Sequence, residues 1–374
     1  MAPTRLLSTP AVSVLFPERP ASASPHTIGF LAGDGIGPEL TAAAQRVLAA
    51  LAGAGLTACD LRIAEPAAAG GGLSDGEAEF FAAVFAAGGA VLCGPRRGRF
   101  VYELRRRFDL FLKLSPLHVS PARAALSRLK PGVVAGADVL VVRDNAGGVY
   151  QGAWDEDRAA DGQRVASHRF SAHEGDVRRV VEAAAALAER RRGRLAVVGK
   201  EDGIPSITRL WREVAGEVAG RRGVAVELVN VDFAAYRLVQ EPRSFDVLVC
   251  PNLEGDVLAD VGVVLLGSRG LSFSGNFTPA GAGVFQTNHG AAGDLAGRDQ
   301  ANPLGHLAAL AMLLREGLGL TAAADRLDGA LEAVLASGLR TADLAAAGNG
   351  APVAGTREIT NRVIAELAAD VTGS

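Results

Sequence analysis

Short apolar segments and longer helical segments alternate along this chain from Thr27 onwards. Two of the apolar segments, Ala90–Cys93 and Val139–Val142, contain no polar alternation, which is typical of strands in a sheet covered on both faces. The alternation of strands and helices predicts an α/β protein with a largely parallel sheet.

The same pattern places the main elements. Further strands are expected at Thr27–Ala32, Leu195–Gly199, Val224–Val231 and Phe245–Cys250, and helices at Pro38–Ala52, Glu174–Arg191 and Pro303–Glu316. Asn302 followed by Pro303 gives the last helix a clear start.

The length of 374 residues is too great for one ordinary core, so two domains are expected. No Gly/Ser linker separates them, and we therefore expect the two domains to be interwoven. Residues 1–25 are rich in Pro, Ser and Ala without a clear period, and are predicted to be a disordered extension.

Charge and cysteine usage exclude several classes of protein. The chain has 38 Lys and Arg against 41 Asp and Glu, a net charge of −3, which argues against nucleic acid or an anionic membrane as partner. No apolar run is long enough to span a membrane. Three cysteines without a C-x-x-C pair indicate neither a disulfide framework nor a zinc site, so a reducing, cytoplasmic location is expected.

Only three of the 38 basic residues are lysines: Lys113, Lys130 and Lys200. Lys200 follows the predicted strand Leu195–Gly199, at the strand end where α/β sheets place their sites. A lysine with a depressed pKa can accept a proton near neutral pH and an arginine cannot. Lys200 is therefore a candidate base, although a chance surface lysine is an equal alternative at this point.

Two acids stand four residues apart, Asp256 and Asp260, so a helix would place both carboxylates on one face. Carboxylates without soft ligands nearby suit a hard cation such as Mg²⁺ or Mn²⁺. The alternative is a solvated helix face, which the apolar neighbours of these acids make less favourable.

Three other segments have both a functional and a structural interpretation. The turn Gly33–Glu39 has G-x-G-x-G spacing, which is not the Rossmann fingerprint, and a tight turn before a Pro-started helix explains it equally well. Tyr150 ends a Gly-containing loop and is either a proton donor or a packed tyrosine. The arginines of Arg96–Arg107 form either an anion-binding patch or a solvated basic face.

Taken together, and in this order, these segments resemble the β-decarboxylating dehydrogenases, the isocitrate/isopropylmalate dehydrogenase family. The resemblance runs from about Thr27 to Leu367. The motifs that carry it are the opening G-D-G-I-G-P-E, L-R-R-R-F-D-L-F at 104–111, V-R-D-N-A-G-G-V-Y at 142–150, F-D-V-L-V-C-P-N-L-E-G-D-V-L-A-D at 245–260 and N-H-G-A-A-G-D-L-A-G-R-D-Q-A-N-P at 288–303.

The resemblance implies the isopropylmalate dehydrogenase-like fold, in which two interwoven α/β domains share a large, mostly parallel sheet that is not a Rossmann sheet. The cofactor-side domain would comprise residues 26–110 and 267–374. Residues 111–266 would form the dimerisation and substrate domain. The active unit would be a homodimer with shared active sites.

The resemblance also implies roles for the candidate catalytic residues. Lys200 would accept the proton of the substrate 2-hydroxyl, and Tyr150 would protonate the enolate left by decarboxylation. Mg²⁺ or Mn²⁺ would be held by Asp256 and Asp260, joined by Asp232 of a second subunit.

Substrate and cofactor residues follow from the same resemblance. Arg105 and Arg143 would bind the carboxylates of a small anionic substrate. The implied cofactor residues are His289, Gly290, Asp294, Leu295, Asn302 and, in the first loop, Ile36. Because a carboxylate at Asp294 would repel a 2′-phosphate, NAD is favoured over NADP.

This chain departs from the family where substrate specificity is expected. The family has Leu-Arg-Pro where this chain has Leu114-Ser115-Pro116, and a lost charge-assisted contact costs roughly 1.5–3 kcal/mol. Either Lys113, which would share a strand face with Ser115, partly compensates, or the substrate lacks or presents differently the carboxylate that the arginine would hold. The segment before Arg105, which includes Val101, matches neither the isopropylmalate nor the isocitrate pattern.

The sequence thus predicts NAD- and divalent-metal-dependent oxidation of a substituted malate-type 2-hydroxy acid, with decarboxylation. The altered specificity residues lead to the hypothesis of a non-standard substrate, from specialised metabolism. Two alternatives stay open: oxidation without decarboxylation, and a catalytically silent regulatory subunit. The sequence does not identify the substituent on the substrate.

Overall fold

A ten-stranded sheet organises the computed structural model, which describes residues 12–16, 25–64, 71–345 and 353–369. Strands in the described residues are β1 His26–Leu31, β2 Cys59–Ala64, β3 Ala90–Cys93, β4 Leu112–His118, β5 Asp138–Asp144, β6 Ala153–Arg158, β7 Arg164–Arg169, β8 Arg194–Gly199, β9 Ala225–Asn230, β10 Val247–Cys250, β11 Phe273–Phe277 and β12 Gly283–Thr287.

Helices cover both faces of the large sheet. They are α1 Gly37–Gly53, α2 Asp75–Ala86, α3 Phe100–Arg107, α4 Pro121–Ala124, α5 Pro131–Val134, α6 Glu174–Glu189, α7 Pro205–Arg222, α8 Val231–Gln240, α9 Asn252–Leu266, α10 Leu304–Met312, α11 Thr321–Ala336, α12 Ala342–Ala345 and α13 Thr356–Ala369. Every predicted strand and helix is present, with ends shifted by a few residues. The last predicted helix continues beyond α10 as a π-helix, Leu313–Gly317.

The strand order is β2-β1-β3-β12-β11-β4-β5-β10-β8-β9. The four strands at each end pair in parallel, whereas the contacts β12–β11, β11–β4 and β4–β5 are antiparallel. The predicted α/β class with a mostly parallel sheet is confirmed. The expected domain boundaries stay a prediction; they would divide this sheet between β11 and β4.

The sheet interior is apolar because its strands are covered on both faces. All residues of β3 and β10 are buried, as their uninterrupted apolar sequences predict. Trp211 of α7 and Phe245 before β10 are among the largest buried side chains. One extended core cluster joins the strands at both ends of the sheet to α1, α6, α10 and α11.

Part of the expected N-terminal extension packs on this core. Val12–Leu15 form a 3₁₀-helix, Val12 is buried, and its N–H donates to Glu316. This differs from the disorder expected for residues 1–25, because the short apolar stretch finds a core surface that the local sequence pattern does not reveal. Residues 1–11 and 17–24 of that expectation lie outside the described residues.

A separate hairpin of β6 and β7 stands outside the large sheet. All twelve of its strand residues are exposed. Trp154 stacks on His168 and lies under the Arg99 guanidinium, so the hairpin is joined to the beginning of α3.

Candidate active site

A cleft with about 700 Å³ of empty space lies between α3, β4, the end of β5 and α9. Arg105 and Val101 of α3, Lys113 of β4, Arg143 of β5 and Asp256 of α9 all line it. The structure therefore brings together five of the residues predicted for substrate and metal binding.

The strand register explains why the basic side chains converge. β4 pairs antiparallel with β5, which places Lys113 directly opposite Arg143. Arg105 is buried on the helix that leads into β4. Three basic side chains, one each from α3, β4 and β5, thus surround one cleft.

Arg143 is held by α9. Its Nε and Nη2 donate to Asn252 Oδ1 at 3.1 and 2.7 Å, and its Nη1 forms an ion pair with Asp256. Tyr150 Oη donates to the other oxygen of Asp256 at 3.0 Å. Asp256 therefore connects the predicted proton donor to the predicted carboxylate-binding arginine.

A polar turn presents Tyr150 to this cluster. Asp144, at the end of β5, accepts hydrogen bonds from the N–H groups of Ala146 and Gly147. Gly148 follows with a φ of 76°, and a Cβ there would press on Asn252. The glycines of this loop thus have a steric function in the turn.

The electrostatics of the cleft favour an anionic ligand. Burial and the nearby Arg143 charge lower the pKa of Arg105 to about 9, and burial with Arg143 and Arg105 lowers that of Lys113 well below 10.5. Among the described residues, neither Arg105 nor Lys113 has an ion-pair partner. A ligand with carboxylates would supply the missing negative charge.

The acid and the phenol respond to the same charges. Burial raises the pKa of Asp256, but the Arg143 and Lys113 charges outweigh it and the net pKa is below the usual value. Burial and the Asp256 carboxylate raise the pKa of Tyr150 to about 12. Near neutral pH the tyrosine is therefore protonated and the acid ionised.

Ser115 is buried but does not line the cleft, whereas Lys113 does. Lys113 and Ser115 are two residues apart on β4 and share a face of the strand, as expected. Of the two, only Lys113 lies beside Arg105 and Arg143. The basic group in this part of the cleft is therefore the amine of Lys113, two residues before Ser115.

Lys200 and Asp232 lie apart from this cleft. They pair with each other at 2.9 Å, and their side chains are 39% and 68% exposed. Asp260 is one helical turn after Asp256 and pairs with Arg269 at 2.8 Å. Within the described part of the chain, no group of three His, Cys, Asp or Glu residues is placed to hold a metal ion.

The predicted cofactor residues surround a second cleft, with about 1270 Å³ of empty space. Ile36, His289, Gly290, Leu295 and Asn302 line it. Asp294 is exposed on the same loop. The Asn302 amide donates to Asp343 and its oxygen accepts from Leu304 N–H, so its polar atoms fix the start of α10.

The first glycine turn packs against this cofactor loop. Ile36 N–H donates to Ala291 O at 2.9 Å, and Gly35, with a φ of 58°, leaves no room for a Cβ beside that oxygen. The turn is both the predicted start of α1 and one wall of the second cleft.

Tyr102 belongs to the segment that was expected to contact the variable substituent, but sequence reasoning did not single it out as a cleft residue. Its ring lies 5.3 Å from that of Tyr150, and the Arg105 guanidinium lies 5.9 Å from its centre. The spacing of three between Tyr102 and Arg105 on a helix was the available signal.

The arginine patch divides into separate roles. Arg105 faces the cleft, Arg106 and Arg107 are exposed, and Arg96 is buried between Asp34 and Glu77 at 3.0 and 2.9 Å. Neither the anion-binding nor the solvated-face interpretation covers the whole segment.

Comparison with known proteins identifies the family. The model of the isocitrate/isopropylmalate dehydrogenase family matches residues 27–363. The chain belongs to this family. The predicted resemblance is confirmed over nearly the range expected.

Two relatives and one structure illustrate the match. The chain is 37% identical to a 3-isopropylmalate dehydrogenase of Synechococcus sp. (strain CC9605), covering 86% of this chain and 94% of the relative. It is 36% identical to the enzyme of that name from Nitrosomonas europaea, covering 91% and 99%. The isocitrate dehydrogenase of Methylococcus capsulatus superposes with a TM-score of 0.80 at 25% identity, covering 91% and 99%.

Membership of the family confirms that the chain is an oxidoreductase of the hydroxyacid dehydrogenase type. In the described residues no helix is long and apolar enough to cross a membrane.

Proposed function

We propose that this protein catalyses NAD- and divalent-metal-dependent oxidation of a substituted malate-type 2-hydroxy acid, with decarboxylation. The observation that carries the proposal is the cleft in which Arg105, Lys113 and Arg143 face a single carboxylate, Asp256, beside the hydroxyl of Tyr150.

Arg105, Arg143 and Lys113 bind and orient the substrate carboxylates. Two guanidinium groups offer paired N–H donors, and the ammonium adds a point charge. Tyr150, protonated near neutral pH, delivers a proton to the carbon left electron-rich when CO₂ departs. Its ring contact with Tyr102 keeps the hydroxyl directed at Asp256.

Mg²⁺ or Mn²⁺ fits the hard oxygen donors of Asp256 and Asp260, which lie one helical turn apart on α9. Held there, the ion would supply positive charge next to the substrate oxygen. Two carboxylates from one chain leave the ligand set incomplete, and Asp232 of a second subunit would complete it.

A homodimer with shared sites accounts for the position of Lys200. Lys200 and Asp232 are exposed and paired away from their own cleft, so they are available to the site of a second copy, where Lys200 accepts the hydroxyl proton. Exposed apolar side chains on α8 and α9 support such a contact: Phe233, Tyr236, Leu253, Val257 and Val264. The exposed hairpin of β6 and β7 supports it further.

NAD is the proposed oxidant, held along the second cleft by His289, Gly290, Leu295 and Ile36. Bound there, NAD would supply the acceptor for the hydride from C2 of the substrate. Asp294 is exposed on that loop and would repel a 2′-phosphate. A cytoplasmic location is proposed with this activity, supported by free cysteines at 59, 93 and 250.

We further propose a non-standard substrate. Lys113 takes the place in the cleft where the family uses an arginine, and Val101 and Tyr102 form the wall near the variable substituent. An ammonium and a tyrosine present different shapes and donors from the guanidinium and aliphatic wall of an isopropylmalate site.

The test is a panel of substituted malates, including 3-isopropylmalate and isocitrate, incubated with enzyme, NAD and Mn²⁺ while NADH and CO₂ are followed together. NADH and CO₂ in equal amounts are expected with one acid other than these two. Failure of every acid to give NADH overturns the proposal. NADH without CO₂ identifies the alternative, a dehydrogenase that does not decarboxylate. The presence of Ser115 where the family has an arginine favours this alternative.

A further inference from the structure

The two clefts meet at His289 and Gly290, which line both. A dinucleotide with its adenosine in the cofactor cleft and its nicotinamide at the substrate cleft must cross this junction. The part of such a molecule that lies between its two ends is the diphosphate. The groups beside residues 289–293 therefore decide how its negative charge is met.

One arginine outside the assigned sites lies against this loop. The Cζ atom of Arg97 is 3.6 Å from the position that a Cβ on Gly293 would occupy, and its Nη2 is closer still. The missing side chain of Gly293 thus makes room for the guanidinium on the loop backbone. The two residues are 196 positions apart, so this contact is created by the fold.

The backbone that carries Arg97 is firmly held. Arg97 N–H donates to Asp34 Oδ2 at 2.8 Å, and the neighbouring Arg96 bonds to Asp34 and Glu77 with nearly complete burial. The Arg96 charge is balanced by these two acids. Across the described ranges of the chain, the exposed Arg97 guanidinium has no acidic partner.

We propose that Arg97 binds the diphosphate of the dinucleotide cofactor, an inference that rests on the proposed use of NAD. A guanidinium fork matches the geometry of phosphate oxygens, and a charge without a local partner gains most from an anionic ligand. Gly293 is the matching feature, because its lack of a side chain lets the guanidinium reach the loop that the cofactor crosses.

The first experiment measures equilibrium binding of NADH to the full chain by fluorescence titration without substrate. R97Q is expected to raise the dissociation constant roughly 10- to 100-fold, the range for loss of a charge-assisted contact. R97K is expected to recover part of the loss, since it keeps the charge but not the fork. R106Q removes the same charge from the exposed face of α3 and is expected to bind NADH as the unaltered chain does.

A second comparison separates phosphate binding from a general effect on the loop. Adenosine lacks phosphates, and its dissociation constant can be obtained by competition with NADH. This constant is expected to be the same in R97Q as in the unaltered chain. G293A displaces the guanidinium and is expected to weaken NADH binding, but to add little in an R97Q background. Equal loss of adenosine and NADH affinity in R97Q would overturn the proposal.

Other results distinguish this inference from the proposed function. If the unaltered chain binds NADH and R97Q binds it equally well, Arg97 is not a phosphate ligand, whereas the NAD dependence stands. If R97Q weakens only NADPH, the guanidinium meets a 2′-phosphate and the diphosphate assignment is wrong. If the unaltered chain binds no NADH, the proposed function fails before any variant is compared.

Discussion

The two groups of predicted catalytic residues have opposite environments. Arg105, Lys113 and Arg143 are buried around one cleft with Asp256. Lys200 and Asp232 are exposed on the surface and pair with each other. The difference supports the proposal that one chain holds the substrate-binding half of the site and presents Lys200 to a site outside its own cleft.

The largest effect on activity is expected when one residue from each group is replaced and the two variants are then combined in mixed dimers. Y150F and K200M are each expected to lose about 10²- to 10⁴-fold in activity, because each removes a proton-transfer group. If a site takes Tyr150 from one subunit and Lys200 from the other, co-expressed variants regain roughly a quarter of the activity through mixed dimers. Initial rates of NADH formation by the mixture measure this.

K130M is the matched control for this experiment, since Lys130 is exposed and has no proposed role. It is expected to keep full activity. A mixture of Y150F and K200M that stays as inactive as its components would show that the two residues serve the same chain, and the shared-site comparison would be lost.

The next effect is on the KM of the substrate and comes from Lys113, a buried side chain that lines the cleft. K113M is expected to raise the KM for the best substrate roughly 10- to 100-fold, since a charged partner of a substrate carboxylate is lost. S115A is the control and is expected to change KM little, because Ser115 is buried away from the cleft. A larger effect from S115A than from K113M would reverse the assignment.

The smallest effect is on stability without ligands. K113M is expected to increase the free energy of unfolding at about pH 7 by about 1 kcal/mol, because it removes a buried amine that has no acidic partner among the described residues. K200M is expected to leave the urea midpoint unchanged, since the exposed ion pair is screened by solvent. Urea unfolding of the two variants and the unaltered chain compares the buried and exposed lysines directly.

The pH dependence of this difference has a definite sign. Burial with the Arg143 and Arg105 charges lowers the pKa of folded Lys113 well below its usual 10.5. Below pH 10.5 the amine of Lys113 binds a proton in the unfolded chain, whereas burial opposes this protonation in the folded chain. The lysine therefore destabilises the fold relative to methionine. The advantage of K113M should therefore grow by up to about 1.4 kcal/mol per pH unit as pH falls from 10.5 towards the lowered pKa. An advantage that shrinks over this range would contradict the assignment.

Much of the fold follows from local pattern. The apolar strands β3 and β10 were predicted because residues of one element are close in sequence. Asp256 and Asp260 were expected to share a face if their segment was helical, and α9 places them one turn apart. The motifs also predicted the family. The short N-terminal 3₁₀-helix was missed, because its burial depends on α6 and on Glu316, which are far away in the sequence.

The candidate site was predicted less completely. Lys113 was proposed as a compensating cation, but only the register of β4 against β5 places it opposite Arg143. Tyr102 was not singled out within the segment expected to contact the substrate, although its spacing from Arg105 was visible. Arg97 was grouped with an undivided basic patch, and its contact with Gly293 could not be derived from either segment alone.

The sequence by itself determined the elements, the chemistry available and the family, because periodicity, capping and motif spacing are local properties of the chain. The tertiary structure decided which charges meet: it sorted a run of arginines into a buried ion-pair partner, a cleft cation and an exposed guanidinium over the cofactor loop. The physical reason is that a charge acquires its pKa and its role from burial and from neighbours brought together by strand register and packing, over separations that no local pattern encodes.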